Sequence, residues 1–130
     1  MIGLDTNILL RFLTQDHPSQ SKQASRLFKQ LTPEYQGYVT EPVMLEVYFT
    51  LQRGYKLEKT DLIAILESLL TTKELIVENA SDMQAALRLY KKTKPKLNDC
   101  LITIKCQKAD CEQIYSFDRD AQKYLGMQKP

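Results

Sequence analysis

IGLDTNILL, residues 2–10, places a strand, a carboxylate and a helix start within nine residues, and the rest of the chain is read outward from it. Ile2-Gly3-Leu4 is a short apolar run of the length expected for a strand buried on both faces. Asp5 stops it. Ile8, Leu9, Leu10, Phe12 and Leu13 then resume as an apolar helical run, with Thr6 or Asn7 available to cap that helix through a side-chain oxygen. Asp5 is therefore expected at the carboxyl end of a first strand, where open α/β sheets place their ligands. Apolar flanks make an unpaired anion costly there, so it calls for a positive partner such as a divalent cation.

Further along, Pro18 suits a helix's first turn, and Ala24, Leu27, Phe28 and Leu31 give that helix one apolar face. Gly37–Thr40 reads as a second strand. Pro42 opens a third helix that runs nearly continuously apolar to about Gln52, with Gly54 placed to end it. Glu46 lies inside it. Either this carboxylate is paired or metal-bound, or it falls on a solvent stripe of the kind most helices carry. Leu57–Leu70 is an amphipathic helix, Leu75–Val77 a third strand, and Ser81 can cap a helix with Met83, Ala86, Leu87 and Tyr90 on its face.

Lys91-Lys92-Thr93-Lys94-Pro95-Lys96 reads as a basic loop, and it leads directly into Leu97-Asn98-Asp99-Cys100. Asp99 begins a helix, so it also has the ordinary reading of a first-turn acid that complements the helix dipole. Ile114–Phe117 reads as a fourth strand ending at Asp118, with Asp120 two residues later. Asp118 thus repeats the arrangement at Asp5: strand, carboxylate, helix. Strands alternating with helices predict a parallel sheet covered by helices, and the two strand-end aspartates fall on one edge of it. Helix N-termini lie on that edge too, which brings Asp99 there. Glu46, in the middle of a helix, is not placed by this argument.

A chain of 130 residues with 43% hydrophobic and 26% charged residues predicts one globular domain, residues 1–130. No apolar run approaches the roughly 20 residues of a membrane span, and the N-terminus lacks the basic region of a signal peptide, so a cytoplasmic protein is expected. Cys100, Cys106 and Cys111 are odd in number and lack CxxC spacing; small buried hydrophobes are the better reading than a disulfide framework or zinc site. His17, the only histidine, reads as a surface loop residue. The net charge of +2 does not by itself imply nucleic-acid binding.

IGLDTNILLRFL, the Glu within PVMLEVYFTLQRGY, NDCLI and YSFDRD, in this order and spacing, resemble a PIN domain, and more narrowly the VapC-type toxin ribonucleases of type II toxin–antitoxin modules. The resemblance spans Ile2 to about Leu125. It implies a three-layer α/β/α fold with a central parallel sheet of four to five short strands. It implies that Asp5, Glu46, Asp99 and Asp118 converge as an acidic site for Mg²⁺ or Mn²⁺, with Thr6, Asn7 and Ser116 in a supporting hydrogen-bond shell. Asn98 and Cys100 depart from the family's usual residues around its third acid, and Ser116 replaces a frequent Thr; none of these removes a carboxylate. Asp120 is either a fifth acid or a surface residue.

Hard oxygen ligands without a His or Cys cluster suit Mg²⁺ or Mn²⁺ over zinc. The resemblance implies RNA as the substrate, and a metal-activated water would hydrolyse it without a protein nucleophile. Lys91, Lys92, Lys94 and Lys96 would meet RNA phosphates, a contact that salt weakens. The resemblance also implies a small antitoxin partner and a homodimer. A receiver domain is disfavoured because the third strand ends in Val77-Glu78-Asn79, and a haloacid-dehalogenase-like phosphatase because Asn7 stands where its second Asp belongs. The remaining alternative is a non-catalytic PIN-like module that binds RNA or protein.

Overall fold

β1 (Ile2–Gly3) pairs in parallel with β2 (Gly37–Val39), Ile2 standing opposite Gly37. In the computed structural model, which describes residues 1–130, β2 also pairs in parallel with β3 (Leu75–Val77), giving the order β1-β2-β3. Parallel neighbours cannot be joined by a tight turn and need a crossover. Each crossover here is a helix pair. α1 (Thr6–Thr14) and α2 (Pro18–Lys29) lead from β1 to β2, and α3 (Glu41–Arg53) and α4 (Lys59–Thr71) lead from β2 to β3. α5 (Ala80–Lys92), α6 (Leu97–Lys108) and α7 (Arg119–Leu125) follow. The chain divides into two compact units, Met1–Ala80 with the whole sheet, and Ser81–Pro130.

In the first unit the apolar periodicity of each helix becomes its buried face. Leu9 of α1, Met44, Val47, Tyr48 and Leu51 of α3, and Leu62 and Leu66 of α4 are essentially inaccessible to solvent. Each such side chain contributes about 1.5–3 kcal/mol relative to an exposed one. α1 and α2 are further joined by Phe12 and Phe28, stacked with ring centroids 4.0 Å apart. Caps set the helix starts: Thr40 Oγ1 accepts from Val43 N at 3.4 Å, and His17 Nδ1 accepts from Gln20 N at 3.1 Å. His17 is thus a helix cap rather than an idle loop residue. Gly37 is held tightly: a Cβ there would come 2.6 Å from Leu4 Cδ1.

In the second unit Met83, Ala86, Leu97 and Cys100 are fully buried. α5 and α6 are tied by Asp82, a buried carboxylate that accepts from Lys108 Nζ at 2.7 Å and from Lys105 Nζ at 3.4 Å. Those two lysines hold the Asp82 carboxyl below its ordinary range, the Lys108 hydrogen bond most of all. Gly126 ends α7 in the left-handed region, φ 72°, and turns the chain back.

The sheet has three strands, which corrects the expectation of four to five. Ile114–Phe117 forms only a single parallel bridge, Tyr115 with Gln128, through Gln128 N to Ile114 O at 2.7 Å and Ser116 N to Gln128 O at 3.0 Å. The turn at Gly126 brings Gln128 back beside this segment, and a single bridge is what forms there. Burial on both faces of the strands is also corrected: Gly3 is exposed and Ile76 is 38% exposed, because β1 and β3 are the two edges of a small sheet. α5 starts at Ala80 and runs through Lys92, so Lys91 and Lys92 belong to its last turn, where they complement the dipole, and the basic loop shortens accordingly. Of the cysteines only Cys100 is buried; Cys106 is half-buried and Cys111 exposed. No helix is long and apolar enough to cross a membrane.

Candidate active site

Asp5 leaves β1 in extended conformation, φ −82° and ψ 163°, and is itself the N-cap of α1. Its Oδ1 accepts from Thr6 N at 2.8 Å. The cap is therefore the carboxylate and not Thr6 or Asn7, which both lie inside the helix. Asp5 is exposed, so the expected burial of this anion is corrected; capping, rather than a low-dielectric setting, holds it in place. Thr6 is buried, and its hydroxyl donates to Glu46 Oε2 at 3.2 Å. One residue thus serves two acids, Asp5 through its backbone N–H and Glu46 through its side chain.

Glu46 stands on the exposed side of α3, with Val43, Val47, Met44 and Tyr48 buried around the remainder of the helix. The helix periodicity puts it on the solvent stripe, and the Thr6 hydroxyl fixes one of its oxygens there. Asn7 is exposed and lines a groove of about 500 Å³ together with Arg11 and Arg26. Within the first unit Asp5, Thr6 and Glu46 form one hydrogen-bonded set.

In the second unit Asp99 occupies the first turn of α6, two residues inside the helix start at Leu97. It is half-buried, and loss of solvation pushes its carboxyl above the ordinary range. The negative charge of Asp118 pushes it further in the same direction, while Lys96 offsets part of the rise. Asp118 is exposed and caps α7, with Oδ1 accepting from Ala121 N at 2.8 Å. Ser116 supports it: its Oγ accepts from Asp118 N at 3.0 Å, and its carbonyl accepts from Gln122 Nε2 at 2.6 Å. Asp120 faces Lys94 Nζ at 4.0 Å on the surface. Among the lysines, Lys96 acts on Asp99 and Lys94 on Asp120, while Lys91 and Lys92 are exposed at the end of α5.

Asp99 and Asp118 are thus two like charges held near each other, an arrangement that a cation relieves. The donors are all carboxylate and hydroxyl oxygens, the chemistry that suits Mg²⁺ or Mn²⁺. No three His, Cys, Asp or Glu side chains are grouped closely enough to hold a metal ion by themselves. Asn98, beside Asp99, keeps a buried Oδ1 without a hydrogen-bond partner. The exposure of Tyr115 and Phe117 was not legible in the sequence, since an apolar run of that length reads equally well as a buried strand.

The PIN domain family model matches residues 2–125. The chain belongs to the PIN domain family. A VapC ribonuclease from Aquifex aeolicus (strain VF5) is 30% identical to it over 121 residues, covering 92% of this chain and 89% of that relative. The PIN domain here is accordingly of the VapC type. The crystal structure of Mycobacterium tuberculosis VapC20, described as a sarcin-ricin loop cleaving toxin, aligns over 97% of this chain and 94% of its own, with 14% identity and a TM-score of 0.47. Of the four carboxylates that the sequence resemblance implies, Asp5 and Glu46 lie in the first unit and Asp99 and Asp118 in the second.

Proposed function

We propose that this PIN domain is a metal-dependent endoribonuclease, the toxin of a toxin–antitoxin pair, and that residues 1–130 act as one nuclease domain. The observation that carries the reading is the 30% identity to a ribonuclease over 92% of this chain, and Asp99 with Asp118 in its surroundings supplies acidic groups for a cation. A structural first-turn acid has no need of a second carboxylate beside it, whereas a cation site does. The relative that is 30% identical is a ribonuclease, which supports RNA as the substrate class.

Asp5, Asp99 and Asp118 are the proposed principal ligands of Mg²⁺ or Mn²⁺, with Glu46 completing the set or orienting the attacking water. A bound divalent cation supplies charge neutralisation at the phosphodiester and activation of water as nucleophile. The chain's own residues hold the acids in position. Asp5 and Asp118 are fixed as helix caps, Glu46 is steadied by the Thr6 hydroxyl, and Asp118 is steadied by Ser116. Asn7 is placed at the same helix start, and Asp120, paired with Lys94, serves the surface rather than the metal. Lys91, Lys92, Lys94 and Lys96 attract the RNA backbone, and added salt weakens that attraction. A small antitoxin protein, a homodimer and a cytoplasmic site of action complete the proposal.

The test is cleavage of a mixed structured-RNA pool with Mg²⁺, Mn²⁺ or EDTA, beside Asp5→Asn. The expected result is cutting that needs the metal and disappears in the variant. Mn²⁺ binding on the same samples separates the alternative. A non-catalytic RNA- or protein-binding module neither cuts nor needs to bind Mn²⁺, whereas a nuclease of narrow target binds it even where the pool lacks that target.

A further inference from the structure

The segment that delivers Asp118 carries two exposed aromatic rings. Phe117, the residue immediately before it, is 85% exposed, more than any other large apolar side chain of the protein, and Tyr115 is 62% exposed. Both flank Ser116, whose hydroxyl accepts the Asp118 N–H. Tyr115 is steadied by its own hydroxyl, which donates to Gln113 Oε1 at 2.7 Å. An apolar ring left in water forgoes the stabilisation that burial gives it, and nothing in the local fold uses this one. The backbone around it is already bonded to Gln128, Ser116 and Gln122, and the Asp118 carboxylate accepts from Ala121 N, so the ring is not required to hold Asp118.

We propose that Phe117 is a stacking platform for an unpaired base of the RNA next to the phosphodiester served by Asp118, with Tyr115, two residues earlier in the chain, a second exposed ring of the same segment. The proposal rests on the reading of Asp118 as a nuclease carboxylate. A nucleobase fits the setting better than a protein does. The rings stand singly between polar neighbours, Gln113, Ser116, Asp118 and Arg119, whereas a stable protein interface covers about 800 Å² per partner around an apolar centre. One base covers one ring. Positive charge for the adjoining phosphates stands in the same unit, on Lys94, Lys96 and Arg119. Bases of a duplex are hidden in their own stack, so a ring of this kind selects a loop, bulge or single strand.

The chain contains no tryptophan, so Phe117→Trp places a single reporter at the site. Its emission is read while a random single-stranded oligoribonucleotide, or the same sequence in a full duplex, is titrated in EDTA. Quenching by the single strand and not by the duplex is expected. In the cleavage assay Phe117→Ala is expected to raise KM about 5- to 150-fold, the range of one lost base stack, with the change in KM rather than in kcat. Phe117→Tyr restores most of the affinity and Phe117→Leu does not, which separates stacking from simple apolar contact. Mn²⁺ affinity stays unchanged in all of them.

Emission that ignores single-stranded RNA, or a Phe117→Ala protein that cleaves with unchanged KM, overturns the proposal. Emission that shifts with protein concentration in the absence of RNA also overturns it, because a second copy of the chain then covers the ring. If the protein cuts no RNA and binds no Mn²⁺, the nuclease reading fails while the fluorescence titration still decides the platform.

Discussion

Asp5 and Asp118 are delivered in the same way locally and supported differently. Each is an extended residue that caps a helix, and each accepts a backbone N–H at 2.8 Å, Asp5 from the next residue and Asp118 from the third residue on. Behind Asp5 lies a parallel ladder, with Leu4 N donating to Tyr38 O at 3.0 Å. Behind Asp118 lies one isolated bridge, and the side chains of Ser116 and Gln122 do the rest. A capping carboxylate is therefore positioned by the first turn of its helix. The sheet is one means of steadying that turn, and a short network of side-chain hydrogen bonds is another.

The sharpest probes of this comparison are Asp5→Asn and Asp118→Asn. Asn caps a helix about as well as Asp, so both variants should unfold within about 0.5 kcal/mol of the parent. Cleavage should nevertheless fall more than about 100-fold in each, at or beyond the cost of losing an outer-shell partner of a metal. Denaturant unfolding beside RNA cleavage separates the two roles; a variant that lost both together would show that capping alone was at stake.

Two glycines test the supports. Gly37→Ala pushes a methyl against Leu4, Leu75 and Leu31 in the ladder, an overpacking expected to cost about 1–3 kcal/mol. Gly126→Ala meets no neighbour but must hold a left-handed φ of 72°, at about 1–2 kcal/mol. Thermal unfolding should therefore respond more to the first. An equal response would mean that the ladder flexes more readily than its packing suggests.

Thr6→Val keeps the shape of the buried side chain and deletes the hydroxyl that holds Glu46. Cleavage is expected to fall about 10-fold with Asp5 still capping, as for other outer-shell partners. Unchanged activity would remove Thr6 from the support of Glu46.

The smallest effect on stability belongs to Asp99→Asn, whose cleavage should fall as in Asp5→Asn. The Asp99 carboxyl is raised from its ordinary 3.8, first by desolvation and then by Asp118, so the folded protein holds this proton more tightly than the unfolded chain. In EDTA its contribution to stability is present below that ordinary value and is lost as pH rises through the raised one. Asp99→Asn should remove this slope and raise Tm at neutral pH by no more than about 2 °C, since the group is only half-buried. A Tm that falls instead would give Asp99 a structural role in the first turn of α6.

Much of this arrangement was legible in the order of residues. Leu4-Asp5 and Phe117-Asp118 both end apolar runs before helical ones, and that pattern predicted a carboxylate between run and helix at each place. It did not predict that the carboxylate is itself the cap, which the sequence assigned to Thr6 or Asn7 in the first case. The apolar spacing of α4 predicted its buried face, Leu62, Leu66 and Leu69 among it, whereas the nearly continuous apolarity of α3 singled out no face. The sequence could not say whether Ile114–Phe117 would join the sheet, because strand formation depends on a partner elsewhere in the chain. The partner it found is Gln128, through one bridge. Nor could it say where Glu46 pointed: a charge in a mostly apolar helix fits either face until the neighbouring Thr6 is known. The exposure of Asp5 was misjudged for a related reason, since flanking residues fix the burial of the strand but not of the residue that leaves it.

A double-mutant cycle on Mn²⁺ affinity tests most directly the proposal that Asp5 and Asp118 serve one metal-dependent reaction. The unaltered chain, Asp5→Asn, Asp118→Asn and the double variant are titrated with Mn²⁺ under one set of conditions. The account predicts that each single variant binds more weakly and that the two losses are not additive, as for groups that share one ligand. Strictly additive losses, or a single variant that binds Mn²⁺ as tightly as the parent, would contradict it.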